Sequence, residues 1–276
     1  MNATSATNVP RFAVVLPARY ASHRFPGKPL AVIAGKPLIE WVYRRAEEIR
    51  GAERIVVATD HERIVETVER FGGDVVMTSS AHRTGTDRVA EVAETLDCDV
   101  IVNLQGDEPV FPPRLIEEMV GVIGRSEAID IVTACHPVFD RAELANPNAV
   151  KVVMDRKGKA LYFSRLPIPL GGETSHCAVT GRIENASNTG HRGDPARHDS
   201  RDPLGYRHIG IYVFRTGSLL RLSRAEQTPL ELKEGLEQLR ALENGMTIHV
   251  VETTQSTVGV DVPDDVKNVE KALGTA

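Results

Sequence analysis

The sequence predicts an α/β fold with a mostly parallel central sheet, helices on both faces and a smaller β-rich insertion. Three observations predict it. Short apolar runs rich in β-branched residues alternate with amphipathic helical periods from Phe12 to Ile123. The links between them are short and the runs end at polar tips, as buried parallel strands do. From Ile129 the pattern changes to consecutive strand-like runs and one long polar stretch before strand–helix alternation resumes.

In chain order, residues 1–10 are polar and are read as a disordered lead-in to a single domain over 11–276. Phe12–Leu16 is a short central strand that Pro17 should end. Pro17–Leu30 is a loop with three prolines, one glycine and the cations Arg19, Arg24 and Lys28. Pro37 suits the first position of a helix to about Arg50, with Leu38, Trp41, Val42 and Ala46 on one face. Arg54–Thr59 is a strand. Asp60 should cap the next helix, which carries Ile64, Val65, Val68 and Phe71 and stops at Gly72-Gly73. Strand Val75–Met77 leads to the polar loop Ser79–Thr86 and a helix to about Leu96. Val100–Leu104 is almost wholly apolar, a buried strand followed by the tip Gln105-Gly106-Asp107-Glu108 and by Pro109. Pro112-Pro113 opens a helix to about Ile123.

The insertion is expected over about 130–215. Within it Ile129–Pro137 and Ala149–Met154 read as strands, and the Arg156–Lys159 turn into Ala160–Phe163 predicts a hairpin. Residues 171–204 are rich in Gly, His, Asn and Arg without a period, which reads as a long mobile loop or lid. Ile209–Phe214 is a strand. Leu232, Leu236, Leu239 and Leu242 predict one helix from Pro229 to about Asn244, closed by Gly245. Met246–Val251 is a strand, and Pro263 to about Ala272 a final helix.

Composition excludes several functions. A net charge of −5 and only 5% aromatic residues give no footprint for nucleic acid. Cys98, Cys135 and Cys177 are far apart, which suits free thiols in a reducing compartment and argues against a zinc site or disulfide framework. His176, Cys177, His191 and His198 lack metal-ligand spacing. No apolar run approaches membrane-spanning length, and the first ten residues lack the basic start and apolar core of a leader, so a cytoplasmic protein is expected.

Two stretches carry chemistry. The loop Pro17–Lys28 sits between first strand and first helix, where doubly wound folds bind phosphate. It has neither Gly-x-Gly-x-x-Gly nor Gly-x-x-x-x-Gly-Lys-Ser/Thr, which argues against a dinucleotide fold and a P-loop. Its cations suit a triphosphate or, read alone, a solvated basic loop. Asp107 ends a buried strand where ligands gather, and is either a Mg²⁺ ligand beside phosphate oxygens or a solvated turn.

The loop Pro17-Ala18-Arg19-Tyr20-Ala21-Ser22, continuing through Arg24 and Pro26-Gly27-Lys28-Pro29-Leu30 to Gly35-Lys36-Pro37-Leu38, resembles the signature of cytidylyltransferases acting on 3-deoxy-manno-octulosonate (Kdo). The resemblance runs on in order through Ile55–Asp60, Gly85-Thr86-Asp87-Arg88 and Val102–Pro109. It continues through Asn146–Val153, Ala160–Arg165, Arg207–Tyr212, Leu236–Arg240 and Gly259–Asp265. It implies a Rossmann-like three-layer nucleotidyltransferase (GT-A-like) fold and transfer of CMP from CTP to the anomeric hydroxyl of Kdo, releasing pyrophosphate, for lipopolysaccharide. It also implies Mg²⁺ held by Asp107 and Asp261, which would repel each other without a cation between them. Arg19, Ser22 and Lys28 match positions on the CTP phosphates, with Thr84, Gly85 and Gln105 near the nucleotide. Arg165, His208, Tyr212, Glu237 and Gln238 match the acid-sugar pocket, and family members are typically homodimers. After Arg165 the sequence departs from the family pattern, running Ile168-Pro169-Leu170-Gly171-Gly172 into the polar insert. Another acid-sugar acceptor, or a sugar phosphate, is the alternative.

Overall fold

A computed structural model describes residues 9–21, 25–169, 202–255, 257–260 and 262–274. Residues 1–8 of the predicted lead-in 1–10, most of the 171–204 stretch, and the site candidates Ser22 and Asp261 lie outside the described residues.

In chain order the first half comprises β1 (Phe12–Ala18), the hairpin β2 (Val32–Ile33) and β3 (Lys36–Pro37), α1 (Leu38–Ala46), β4 (Ala52–Thr59), α2 (Glu62–Arg70) and β5 (Val75–Met77). Next come α3 (Gly85–Ala93), β6 (Val100–Asn103) and α4 (Pro113–Gly124). The second half begins with β7 (Ile131–Val138), α5 (Arg141–Ala145), β8 (Lys151–Met154) and β9 (Ala160–Ser164). It ends with β10 (Gly205–Arg215), α6 (Thr216–Arg224), α7 (Pro229–Glu234), α8 (Gln238–Glu243), β11 (Ile248–Glu252) and α9 (Val266–Ala272).

The main sheet runs β11-β7-β10-β6-β1-β4-β5. Along this path all strands are parallel except β10, which pairs antiparallel with both β6 and β7. Thus β7 and β10 belong to the main sheet, and the β8–β9 hairpin branches from it through β10. Alternate residues of β1 face opposite ways: Phe12, Val14 and Leu16 pack with α1, α2 and α4, whereas Ala13 and Val15 pack with α3 and α6. Each layer buries its apolar stripe on the sheet, which produces the expected three-layer architecture.

Three local readings are corrected. Pro17 lies inside β1, paired with Ala58 of β4. Its missing N–H faces the β6 side, where pairing with β6 stops at Val15 and Asn103, so no ladder bond is lost. Asp60 does not cap α2. The cap is His61, whose ring nitrogen accepts from the Arg63 N–H at 3.3 Å, while the Asp60 carboxylate accepts from buried Arg88 at 2.6 Å. The expected helix 229–244 is two helices, broken at Gly235 in the left-handed conformation (φ +63°). The leucine period misleads because Leu236 and Leu239 are buried after the break, whereas Leu232 faces solvent.

Candidate active site

A cleft of about 360 Å³ opens over the carboxyl ends of β1 and β6, lined by Pro17, Arg19, Lys28, Gly85, Gln105 and Asp107 among others. These are strand tips and a helix start, where an open α/β sheet leaves room for a ligand. Arg19 leaves β1 directly. Its Nη1 donates to the Arg83 carbonyl at 2.8 Å, and its buried Nη2 has no hydrogen-bond partner among the described residues. Burial holds this guanidinium below its ordinary pKa, with the nearby Arg88 charge adding to the effect. An unpaired buried donor costs free energy unless an anion takes it.

Lys28 begins a short 3₁₀ turn behind Gly27, which takes the left-handed conformation (φ +70°) that the tight bend requires. Its ammonium donates to the Asp107 carboxylate and to the Val260 carbonyl, the latter at 2.9 Å. The loop is held from outside. Gly27 N–H donates to the Tyr20 carbonyl, the Tyr20 ring stacks on His61 at 4.0 Å, and Arg63 donates to the Tyr20 hydroxyl at 2.7 Å. Sequence reading missed this anchor, because nothing local in Tyr20 or His61 signals a contact between a loop and the next helix.

The helix start in the cleft is built by its cap. Thr84 accepts from the Asp87 N–H and Asp87 accepts from the Thr84 N–H, a reciprocal capping box that leaves Gly85 at the first turn of α3. Gln105 donates to Asn103 at 3.2 Å and Asn103 to the Thr86 hydroxyl at 3.4 Å. The Thr84 and Thr86 hydroxyls donate to the two oxygens of Glu237, at 3.3 and 3.1 Å. Burial raises the Glu237 carboxyl above its usual range, opposed by the Arg240 charge and the Thr86 hydroxyl. A single polar chain therefore runs from Gln105 in the cleft to Glu237.

His208 and Tyr212 share one face of β10, with ring centroids 5.4 Å apart, despite a bulge between Ile209 and Tyr212. The Thr133 hydroxyl donates to the Ile209 and Ile211 carbonyls at 3.1 and 2.9 Å, so it accepts from His208 Nε2–H at 2.8 Å. Burial alone pushes the His208 pKa from 6.5 down to about 3. The unfolded chain therefore takes up a proton that the native imidazole refuses, and stability falls as pH drops from 6.5 toward 3. Between pH 6.5 and 5 this site should cost about 2 kcal/mol. Urea melts at pH 7 and 5 should show the larger loss in wild type and a smaller one in His208→Gln; equal losses would contradict the assignment. Burial likewise raises the Tyr212 hydroxyl.

Tyr212, Glu237 and Gln238 come together around a small cavity of about 20 Å³. Arg165 stands elsewhere: it is exposed, its Nε donates to the Glu234 carbonyl at 3.1 Å and its Nη1 to the Pro147 carbonyl at 3.3 Å. Of the expected carboxylate pair, Asp107 is described, and the Val260 N–H donates to the Asp107 carbonyl at 2.9 Å, so the chain just before Asp261 docks on the Asp107 loop. Among the described residues no helix is long and apolar enough to cross a membrane.

Cations and one carboxylate at the strand tips of a three-layer α/β sheet, without a dinucleotide glycine fingerprint, are the arrangement of a nucleotidyltransferase. The cytidylyltransferase family model matches residues 13–248, and the chain belongs to that family. It is 44% identical over 268 residues to the 3-deoxy-manno-octulosonate cytidylyltransferase of Geobacter metallireducens, covering 95% of this chain and 98% of that one. With the enzyme of the same name from Syntrophotalea carbinolica it shares 47% over 259 residues, covering 94% and 97%. A solved CMP:2-keto-3-deoxy-manno-octonic acid synthetase complexed with CTP superposes with a TM-score of 0.81 at 36% identity, covering 96% and 98%. A Leptospira borgpetersenii cytidylyltransferase, 15% identical with a TM-score of 0.60, shares the fold.

Proposed function

We propose that this protein transfers CMP from CTP to the anomeric hydroxyl of Kdo and releases pyrophosphate, with Mg²⁺. The observation that carries the reading is the Arg19–Lys28–Asp107 cleft in a chain alignable almost end to end with relatives named for that reaction. In the step, the Kdo hydroxyl oxygen bonds to the α-phosphorus and gives its proton to solvent, as the bond from that phosphorus to the oxygen it shares with the β-phosphorus breaks and pyrophosphate leaves. Such a displacement depends on alignment and charge neutralisation more than on covalent help from side chains. Arg19, whose buried Nη2 has no partner among the described residues, takes a phosphate oxygen, and Lys28 exchanges Asp107 for phosphate when the nucleotide enters. The first turn of α3, Ser22, Thr84, Gly85 and Gln105 complete the nucleotide side. His208, Tyr212, Glu237 and Gln238 form the acceptor side; Arg165, exposed and engaged with two backbone carbonyls, is assigned to the sugar carboxylate by the resemblance alone.

The Asp107 carboxylate, a hard-oxygen donor with a cation already against it, fits Mg²⁺, which takes one or two carboxylates beside phosphate oxygens. Asp107, with Asp261, would hold the ion, which when bound neutralises charge developing on the phosphates. The product would serve lipopolysaccharide assembly, with the enzyme in the cytoplasm. A homodimer is what the resemblance implies, and sedimentation should then show twice the chain mass.

The test is pyrophosphate release from CTP and Mg²⁺ with and without Kdo, then with other acid sugars. Release that requires Kdo is expected. Silence with Kdo beside release with another acid sugar would keep the nucleotide side and move the acceptor, to which the departures after Arg165 already draw attention.

A further inference from the structure

Behind Glu237 lies a buried ion pair that the reaction as written does not use. Arg240 on α8 donates from Nε and Nη2 to the two oxygens of Glu231 on α7, at 2.8 and 2.6 Å, and the two side chains are only 4% and 6% exposed. Glu231 also accepts the Thr228 N–H at 3.2 Å and Gln227 Nε2 at 3.3 Å, so its lone pairs are well used. On its other flank Arg240 Nη2 lies 3.9 Å from Glu237 Oε1, beyond hydrogen-bond length but close for unlike charges in a half-buried site.

Local structure explains why such a pair is needed there. α7 and α8 have six residues each, too few to be stable alone. Gly235 separates them with φ +63°, and its N–H and that of Leu236 both donate to the Glu231 carbonyl, at 2.8 and 3.2 Å, so the turn closes on the residue that carries the fork. The Glu231–Arg240 fork spans that break, and Glu237 stands inside the span. The same carboxylate receives both threonine hydroxyls from the start of α3, and Thr86 is linked through Asn103 to Gln105 in the cleft.

We infer that Arg240 is a positioning residue for the reaction: by forking onto Glu231 across the Gly235 break and flanking Glu237, it holds that carboxylate on Thr84 and Thr86 and so sets the acceptor wall against the nucleotide cleft. The inference rests on the reading of Glu237 as an acceptor-side group. A purely structural pair behaves differently. Replacing a buried ion pair with apolar residues of similar size often leaves stability unchanged, and if packing were its sole role, activity would survive too.

The test measures Kdo-dependent pyrophosphate release by the full chain in five variants: Glu231→Leu with Arg240→Met, Arg240→Lys, Glu237→Gln, and Glu237→Gln combined with each of the first two. The apolar pair should melt near wild type, bind CTP as wild type does, and lose about 10²-fold in kcat/KM for Kdo, the scale of an ångström-sized misplacement. Arg240→Lys, which keeps the charge but not the fork, should lose less. In the Glu237→Gln background the apolar pair and Arg240→Lys should each change kcat/KM by less than about twofold, because an effect that acts through one residue vanishes with it. Wild-type kinetics in the apolar pair, or losses that multiply in the combined variants, would overturn the inference. If the apolar pair does not fold, Arg240→Lys with and without Glu237→Gln carries the same comparison. Glu237→Gln with wild-type kinetics would overturn the reading of Glu237 and the inference together. A defective Glu237→Gln beside a fully active apolar pair would overturn the inference and leave that reading standing.

Discussion

Asp107→Asn should leave a folded protein whose Kdo-dependent turnover is lower by about 10³-fold, the upper range for removing one electrostatic group from a transition-state site. The amide keeps the shape of the carboxylate and removes its charge. Lys28 is not orphaned, because its ammonium retains the Val260 carbonyl at 2.9 Å. The lost ion pair is one-third exposed on the aspartate side, so solvent screens it and its loss should cost no more than about 1 kcal/mol. Under the proposed function, activity depends on that charge in two ways. It is the described carboxylate suited to Mg²⁺, and it holds Lys28 at the cleft before the triphosphate arrives. Thermal melts beside initial rates separate the two effects. An unchanged melting temperature with near wild-type turnover would remove Asp107 from the chemistry.

Gly106→Ala should damage both stability and nucleotide binding. A Cβ at this position would lie 2.8 Å from the Pro17 carbonyl oxygen and 3.3 Å from Ile39 Cδ1. The isoleucine can turn away, but the carbonyl belongs to β1 and can move only with the strand tip. Forcing the contact should cost about 1–3 kcal/mol, as overpacking does. Because Pro17 and Gln105 both line the cleft, separating these tips also displaces Arg19 from the Asp107 side. The expected result is a lower urea midpoint with a several-fold higher KM for CTP. A variant with the wild-type midpoint and KM would show that β1 and β6 are not held in this close contact.

Much of this arrangement was legible in the residues. The β-branched runs of β1, β4 and β6 announced buried parallel strands, and the charged loop after β1 with the acid after β6 pointed to one ligand site at their tips. Arg19 and Lys28 were readable because a loop between first strand and first helix has a fixed place in such folds. Long-range partners were not readable. Nothing within Gly205–Arg215 says that it runs antiparallel between β6 and β7. Glu231 and Arg240 are nine positions apart, a spacing that puts no two side chains together on one continuous helix; only the break at Gly235 makes them neighbours. Asp60 followed a helix-cap rule yet serves Arg88, because a guanidinium buried at 0% exposure needs a carboxylate more than a solvent-facing helix end needs a cap.

The most direct measurement follows phosphorus through the reaction. ³¹P NMR of the protein with CTP, Kdo and Mg²⁺ should show the α-phosphorus signal of CTP giving way to a phosphodiester, with pyrophosphate growing in equal amount. This pattern means attack at the α-phosphorus and CMP transfer to the sugar. Accumulation of CDP with a phosphorylated sugar would mean attack at the γ-phosphorus and would contradict the account at its centre.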